Sequence, residues 1–409
     1  MRKIIILYLV LLPGLMWSQT LEEYITMALE NNPALKAKEA EYQAGVQKIF
    51  QARAIPDFEL TADVVTRHMV YPEGNQLFGL TAMQMFPWFG KLEAMEAAAE
   101  QNALATRGEK EQTINNLIYQ MRNAWHPWLE LGALLRNKQV NLGILKADKE
   151  VATYRYQQGQ SMLSEVIMTD LMIEEVQTEI ALLEVKAKAA WADFARWIGT
   201  PVPMPELEVD ALLTLPVPQD REIAGNPQLK VFDQKILAVE AEAVAIKKDQ
   251  WPMIGAGVRY LPLWKRAGHD FHLEPNSGAQ MIMPMIAVTF PLFGKRFKAG
   301  QKEMAFMQTA YREMKTDMVN QLRSEIEMVT FELEEAYNML TLYGRQLTKL
   351  NDALRLMMVE YQNNRIGLRD ILQLRSQIFD LQAKQLKATT WHNQAIAKLF
   401  FIRGNNTSF

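Results

Sequence analysis

Phe86-Pro87-Trp88-Phe89-Gly90-Lys91 returns 204 residues later as Phe290-Pro291-Leu292-Phe293-Gly294-Lys295. Each copy follows a run in which apolar and polar residues alternate, and each precedes a long stretch without a helix breaker. Other pairs keep the same order. Asn31-Asn32-Pro33 is matched by Asn226-Pro227, and Tyr156-Gln157 with Glu165-Val166-Ile167 by Tyr361-Gln362 with Asp370-Ile371-Leu372. Trp191 is matched by Trp391. Ordered matches at nearly constant offset indicate an internal duplication.

Each copy reads helix, hairpin, long helix, helix. Thr20 and Glu23 form a capping-box pair, and Asn32-Pro33 restarts the helix with proline at its first position. Phe58, Leu60, Ala62 and Val64 alternate with Asp57, Glu59, Thr61 and Asp63, the period-two pattern of a strand with one apolar face. In the second copy Ile282, Ile286 and Val288 oppose Met281, Met283 and Met285, with Pro284 predicting a bulge or a loss of pairing. The predicted boundaries are a first repeat 19–199 (hairpin 57–86, long helix 92–158, helix 163–198) and a proline-rich linker 200–219. A second repeat follows at 220–403 (hairpin 253–290, long helix 297–362, helix 367–402), then a tail 404–409. A helix of some 67 residues would span roughly 100 Å, a length that only coiled-coil-like packing stabilises. Pro127 predicts a kink in the first long helix alone. Two half-length helices laid end to end would match one long helix.

The first 18 residues read as an export signal: Arg2 and Lys3, the apolar run Ile4 to Leu12, Pro13-Gly14, and a cut after Ser18. No later segment offers 18 uncharged apolar residues in a row, which argues against membrane-spanning helices but not against a β-barrel. The 44 basic and 47 acidic residues give a net charge of −3, and no basic stripe points to nucleic acid. With no cysteine there are no disulfides or thiolate sites. No serine-hydrolase, zinc-protease or Walker motif points to an enzyme, and no cofactor is implied. The 24 methionines offer soft thioether ligands, but methionine is first a packing residue, and no metal site is assigned.

Four amphipathic strands cannot close a barrel around water, and open edges cannot sit in hydrocarbon. Copies of the chain must complete it, and three would supply twelve strands; the expected fold class is mainly α with a small β part, a two-repeat α-helical tunnel protomer giving four strands to a trimeric, 12-stranded outer-membrane β-barrel. The paired Asn-Pro restarts, the two F-P-x-F-G-K segments, and the Tyr with Asp/Glu nine residues on resemble the outer-membrane efflux protein (TolC) family. The CusC/CzcC-type channels are the nearest in character. The resemblance implies a homotrimer in outer-membrane lipid with its helical tunnel in the periplasm. It also implies a periplasmic adaptor protein and an inner-membrane efflux pump as partners, an RND-type pump foremost. The chain would be a passive exit duct, with heavy-metal cations as a candidate cargo. A type I secretion or drug-efflux duct, and a periplasmic adaptor, are the alternatives.

By the same resemblance, the aperture and adaptor contacts fall on Tyr156, Gly159, Ser161, Leu163, Glu165 and Val166. In the second repeat they fall on Tyr361, Asn364, Arg365, Leu368, Arg369, Asp370 and Ile371. Met168 and Gln373 stand where such channels often carry a further aspartate, and Asn364 where a glycine is familiar. Threefold rings of Glu165 and Asp370 would repel unless arginines offset them, with Arg155, Arg365 and Arg369 as the nearby candidates. Asp57, Glu59 and Asp63 are expected to face the barrel lumen.

Overall fold

The computed structural model describes residues 20–71, 74–205, 212–218, 222–265, 278–363 and 365–404. The expected export signal, part of the linker, Asn364 and residues 405–409 lie outside them. The elements run α1 (Leu21–Asn31), α2 (Pro33–Arg53), β1 (Glu59–Tyr71), β2 (Gly74–Pro87), α3 (Lys91–Gln157) and α4 (Leu163–Ala195). They continue with α5 (Pro227–Lys248), β3 (Met253–Leu261), β4 (Leu263–Trp264), β5 (Met281–Thr289), α6 (Lys295–Gln362) and α7 (Leu368–Arg403). Contacts divide the chain into two units that cut across the sequence repeats, because α3 and α6 each pass through both.

One unit (residues 37–113 and 224–322) holds the sheet and the helix segments joined to it. The strand order is β1-β2-β3-β5, all antiparallel, with β4 pairing β2. Pairing in β1 continues past Val64 to Tyr71, although Arg67 to Gly74, with Pro72 and Gly74, reads in sequence as the hairpin loop. A register shift between Val64 and Met69 breaks the alternation that marks a strand. Pro284 causes no bulge: its register against Val258 is unbroken, and among the described residues β5 has a strand on one side only, a position where proline is tolerated. The attached helices approach closely through small residues. A Cβ on Gly45 would lie 3.4 Å from Ala103, one on Gly108 3.2 Å from Val231, and one on Gly300 3.3 Å from Ile246. Charges lace the same faces: Glu109 takes Lys38 of α2 at 3.4 Å and Lys235 of α5 at 2.7 Å. Burial pushes the Glu109 carboxyl up, but the two lysines outweigh it and hold it below the usual carboxylate range.

The other unit (residues 20–36, 114–223 and 323–404 of those described) is helical. Its core gathers Tyr24, Met121, Trp128, Trp191, Phe194 and Ile198, with Tyr24 edge-on to Trp191 and Phe194 at 5.5 Å. Asn32 caps α2 by accepting from Ala34 N at 2.9 Å and Leu35 N at 3.3 Å, and its amide donates to the Trp197 carbonyl at 2.7 Å. Asn226 likewise accepts from Gln228 N at the start of α5, in the other unit. The end of α4 thus abuts the α1–α2 junction. Gly199, at φ +82°, seals the seam, because a Cβ there would fall 2.7 Å from the Asn31 carbonyl oxygen. The capping box expected at Thr20 does not form, since its hydroxyl makes no cap bond and α1 starts on backbone bonds to the Thr20 carbonyl.

Pro127 lies inside an unbroken α3. It has no N–H for the Asn123 carbonyl one turn back. Gln394 of α7 fills that vacancy, its Nε2 donating to the Asn123 oxygen at 3.0 Å.

Candidate functional site

Two regions carry the expected functional residues. The first is the pair of turns joining α3 to α4 and α6 to α7. Gly159 ends α3 at φ +66°, with its N–H on the Tyr156 carbonyl at 2.9 Å and Gln160 N on the Arg155 carbonyl at 2.8 Å. These are the two bonds of a Schellman closure, which needs a left-handed residue at the glycine. The second turn repeats the outer bond, Arg365 N to Glu360 O at 2.9 Å. Ser161 Oγ donates to the Ala152 carbonyl at 3.3 Å.

Behind the turns all four helices share one apolar cluster. Leu145, Ala152, Ile173, Tyr361, Leu368 and Ile371 are buried in it, with Val166 packed against it. Tyr156 and Leu163 are exposed, as are Arg365, Arg369 and Asp370. The buried Tyr361 hydroxyl has no hydrogen-bond partner among the described residues, and the Arg155 guanidinium lies 4.3 Å over its ring. The arginines proposed to offset the acidic positions are mostly engaged elsewhere. Arg155 stacks on Tyr361, and Arg365 meets the Glu360 carboxylate at 3.3 Å. Arg369 alone shares surroundings with Glu165, both lining a cavity of about 300 Å³ with Met168, Met172, Leu372 and Gln373. Glu165 leans instead on the second turn, where a Cβ on Gly367 would meet its Oε1 at 3.4 Å. Gly367 caps α7, so the carboxylate sits at the positive end of that helix.

Sequence reasoning missed the ion pairs above the turns. Adjacent residues of α3 hold two different helices, Asp148 pairing with Arg375 of α7 and Lys149 with Asp170 of α4. Burial pushes the Asp148 carboxyl above its usual range, and Arg375 only partly offsets this. No local pattern signals these pairs, because the partners are distant in sequence.

The second region is the sheet. Its register places Glu59, Thr61, Asp63, Thr81, Met83, Met85, Arg259, Met283 and Met285 on one face. Leu60, Val64, Leu80, Phe86, Ile254, Val258, Ile282, Ile286 and Val288 share the other. Exposure runs opposite to a water-soluble sheet. The aliphatic face is bare, with Val64 76% and Ile286 83% exposed, while Met83, Met85, Met283 and Met285 are half-buried. Asp63 Oδ2 accepts from Arg259 Nη2 at 2.8 Å. Glu59 is exposed at the start of β1, and Asp57 precedes the strand instead of lying on its face. Where strands give way to helices, Trp88 and Trp251 stack at 5.9 Å, and Phe89 and Phe293 are 84% and 85% exposed. No described helix is long and apolar enough to cross a membrane, and no group of three or more His, Cys, Asp or Glu among the described residues could hold a metal.

The family model of outer membrane efflux proteins matches residues 24–200. The match covers the first of the two sequence repeats. Solved efflux-channel structures show the same fold at low identity. CusC superposes with a TM-score of 0.72 at 16% identity, covering 94% of this chain and 91% of that one. MtrE of Neisseria gonorrhoeae, solved in an open state, gives 0.73 at 17% over 94% and 89%. VceC of Vibrio cholerae gives 0.71 at 17% over 94% and 96%. No curated protein matches the sequence significantly. The chain thus has the fold of these efflux channels, mainly helical with a small sheet.

Proposed function

We propose that this chain is an outer membrane efflux protein, one third of a homotrimeric exit duct whose sheet, joined to those of two further copies, forms a 12-stranded barrel. The observation that carries this reading is the inverted sheet. A bare aliphatic face belongs against lipid, and the opposite face, with Glu59, Thr61 and the Asp63–Arg259 pair, against water. The nine-residue β3 and β5 have the length of a tilted membrane strand. Among the described residues each of β1 and β5 has a strand on only one side, and an unpaired edge is not tolerated in hydrocarbon. Trp88, Phe89, Trp251 and Phe293 supply the aromatic girdle that marks the membrane surface.

The duct works with a periplasmic adaptor and an inner-membrane RND-type pump, and heavy-metal cations are its cargo. The turn residues Tyr156, Gly159, Ser161, Leu163, Glu165 and Val166, with Tyr361, Arg365, Leu368, Arg369, Asp370 and Ile371, form the periplasmic aperture. The exposed Tyr156, Met162 and Leu163 give the adaptor its apolar contact. Asn364 belongs to the same turn by sequence.

Ile286→Arg and Thr61→Arg place one charge on opposite faces of the sheet. A cation on the lipid face costs roughly 2–4 kcal/mol near the bilayer centre. Ile286→Arg should abolish heat-resistant trimers in outer-membrane extracts, whereas Thr61→Arg should leave trimers and alter single-channel conductance. Equal tolerance of both, or a soluble monomer without detergent, would refute the reading.

A further inference from the structure

Every methionine of β2, β3 and β5 stands on one face of the sheet. In register these are Met83 and Met85 on β2, Met253 on β3, and Met281, Met283 and Met285 on β5. The opposite face of these strands carries leucine, isoleucine, valine and aromatic residues but no methionine. If methionine served here as apolar filler, it should appear where apolar surface is buried or meets lipid. It is confined instead to the face that bears Glu59, Asp63 and Arg259.

The strand between the methionines is hollowed out. Gly257 is the register partner of both Met83 and Met285, and Gly255 that of Met85 and Ala287. The glycines leave a floor without side chains, and the β2 thioethers fold onto it. A Cβ on Gly255 would collide with Met85 Sδ and lie 3.3 Å from Met83 Sδ. Two sulfurs therefore converge on one point above β3, with Met285 flanking Gly257 on the far side. Thioethers are neutral, soft donors that favour Cu(I) and its congener Ag(I) over Zn(II), Mg(II) or Ca(II), which take nitrogen and oxygen ligands.

We propose that Met83 and Met85, assisted by Met285 over the Gly255–Gly257 floor, form a binding site for a soft monovalent metal ion on the sheet face that lines the duct. The proposal rests on the reading of that face as the lumen, and it narrows the cargo class to thiophilic monovalent cations. A few neutral thioethers bind such an ion without enclosing it, as a conduction path requires: the ion must enter and still leave.

The test uses the detergent-purified full-length protein and silver nitrate, which needs no redox control. Isothermal titration should find an Ag(I) site of one per chain, with Ag–S scattering in X-ray absorption. Met83→Leu/Met85→Leu preserves the apolar volume and should weaken that site at least about tenfold. Gly255→Val keeps both sulfurs but fills the floor, and should weaken it as well. Met253→Leu/Met281→Leu, on the same face, should leave it intact. Planar-bilayer conductance of each variant shows whether the barrel has formed. Absence of Ag(I) binding by conducting wild-type protein would overturn the proposal, as would binding unaffected by the Met83/Met85 double substitution. A wild-type protein that binds Ag(I) at these residues but does not conduct would refute the duct and leave the metal site standing.

Discussion

Gln394 supplies to α3 the hydrogen bond that Pro127 withholds. The Asn123 carbonyl that a residue 127 amide would normally satisfy accepts instead from the Gln394 side chain at 3.0 Å. The proline is thereby tolerated within an unbroken helix, and α3 is pinned to α7 at that level.

Removing the donor should therefore cost stability only while the proline is present. Gln394→Leu should destabilise the protein by about 1–3 kcal/mol, the range for a buried polar group left unpaired. In a Pro127→Ala background, where an amide returns to residue 127, the same change should cost markedly less. Thermal denaturation of the four proteins of this double-mutant cycle, followed by circular dichroism in detergent, measures the coupling. Additive losses would show that the two residues act independently.

One residue earlier, His126 gives the helical unit a response to acid. Burial, reinforced by the Arg122 charge, lowers its pKa from the ordinary 6.5 to about 4. The folded state keeps the imidazole neutral while the unfolded chain already binds a proton. Stability is thus undiminished by this group above pH 6.5, declines as pH falls from there to about 4, and loses nothing more from it below. Near pH 5 the loss is roughly 2 kcal/mol per chain. His126→Leu should flatten the dependence of the melting temperature between pH 7 and 4.5. An unchanged slope would place the sensitivity elsewhere.

The Asp63–Arg259 pair sets the charge of the sheet's polar face. Arg259→Gln leaves Asp63 uncompensated and should shift the reversal potential under a salt gradient toward cation selectivity. Asp63→Asn frees Arg259 and should shift it toward anions. Both effects should shrink at high ionic strength. Two null results would remove this face from the conduction path.

The fold class was legible because its strands and helices announce themselves locally. Alternation over residues 57–64, the Asn32-Pro33 and Asn226-Pro227 caps, and the breaker-free run after Lys91 need no tertiary knowledge. What stayed hidden depends on pairing at a distance. The offset between Val64 and Met69 erases the period-two signal and made strand look like loop. The sequence separates Met281, Met283 and Met285 from their apolar neighbours, but only the register aligns them with Met83, Met85 and two glycines. The engagement of Arg155 by Tyr361 and of Arg365 by Glu360 appears only in three dimensions.

The seam at Gly199 determines how the helical wall can deform. Along α3 a continuous backbone ladder resists bending, but between α4 and α2 the covalent chain is interrupted. There the ends are held by the hydrogen bond from the Asn32 amide to the Trp197 carbonyl, by direct contact at Gly199, and by the apolar cluster that Leu35 shares with Phe194 and Ile198. Such a butt joint carries axial thrust well and torque poorly. Bending therefore costs less at this joint than within the unbroken backbone ladder of α3.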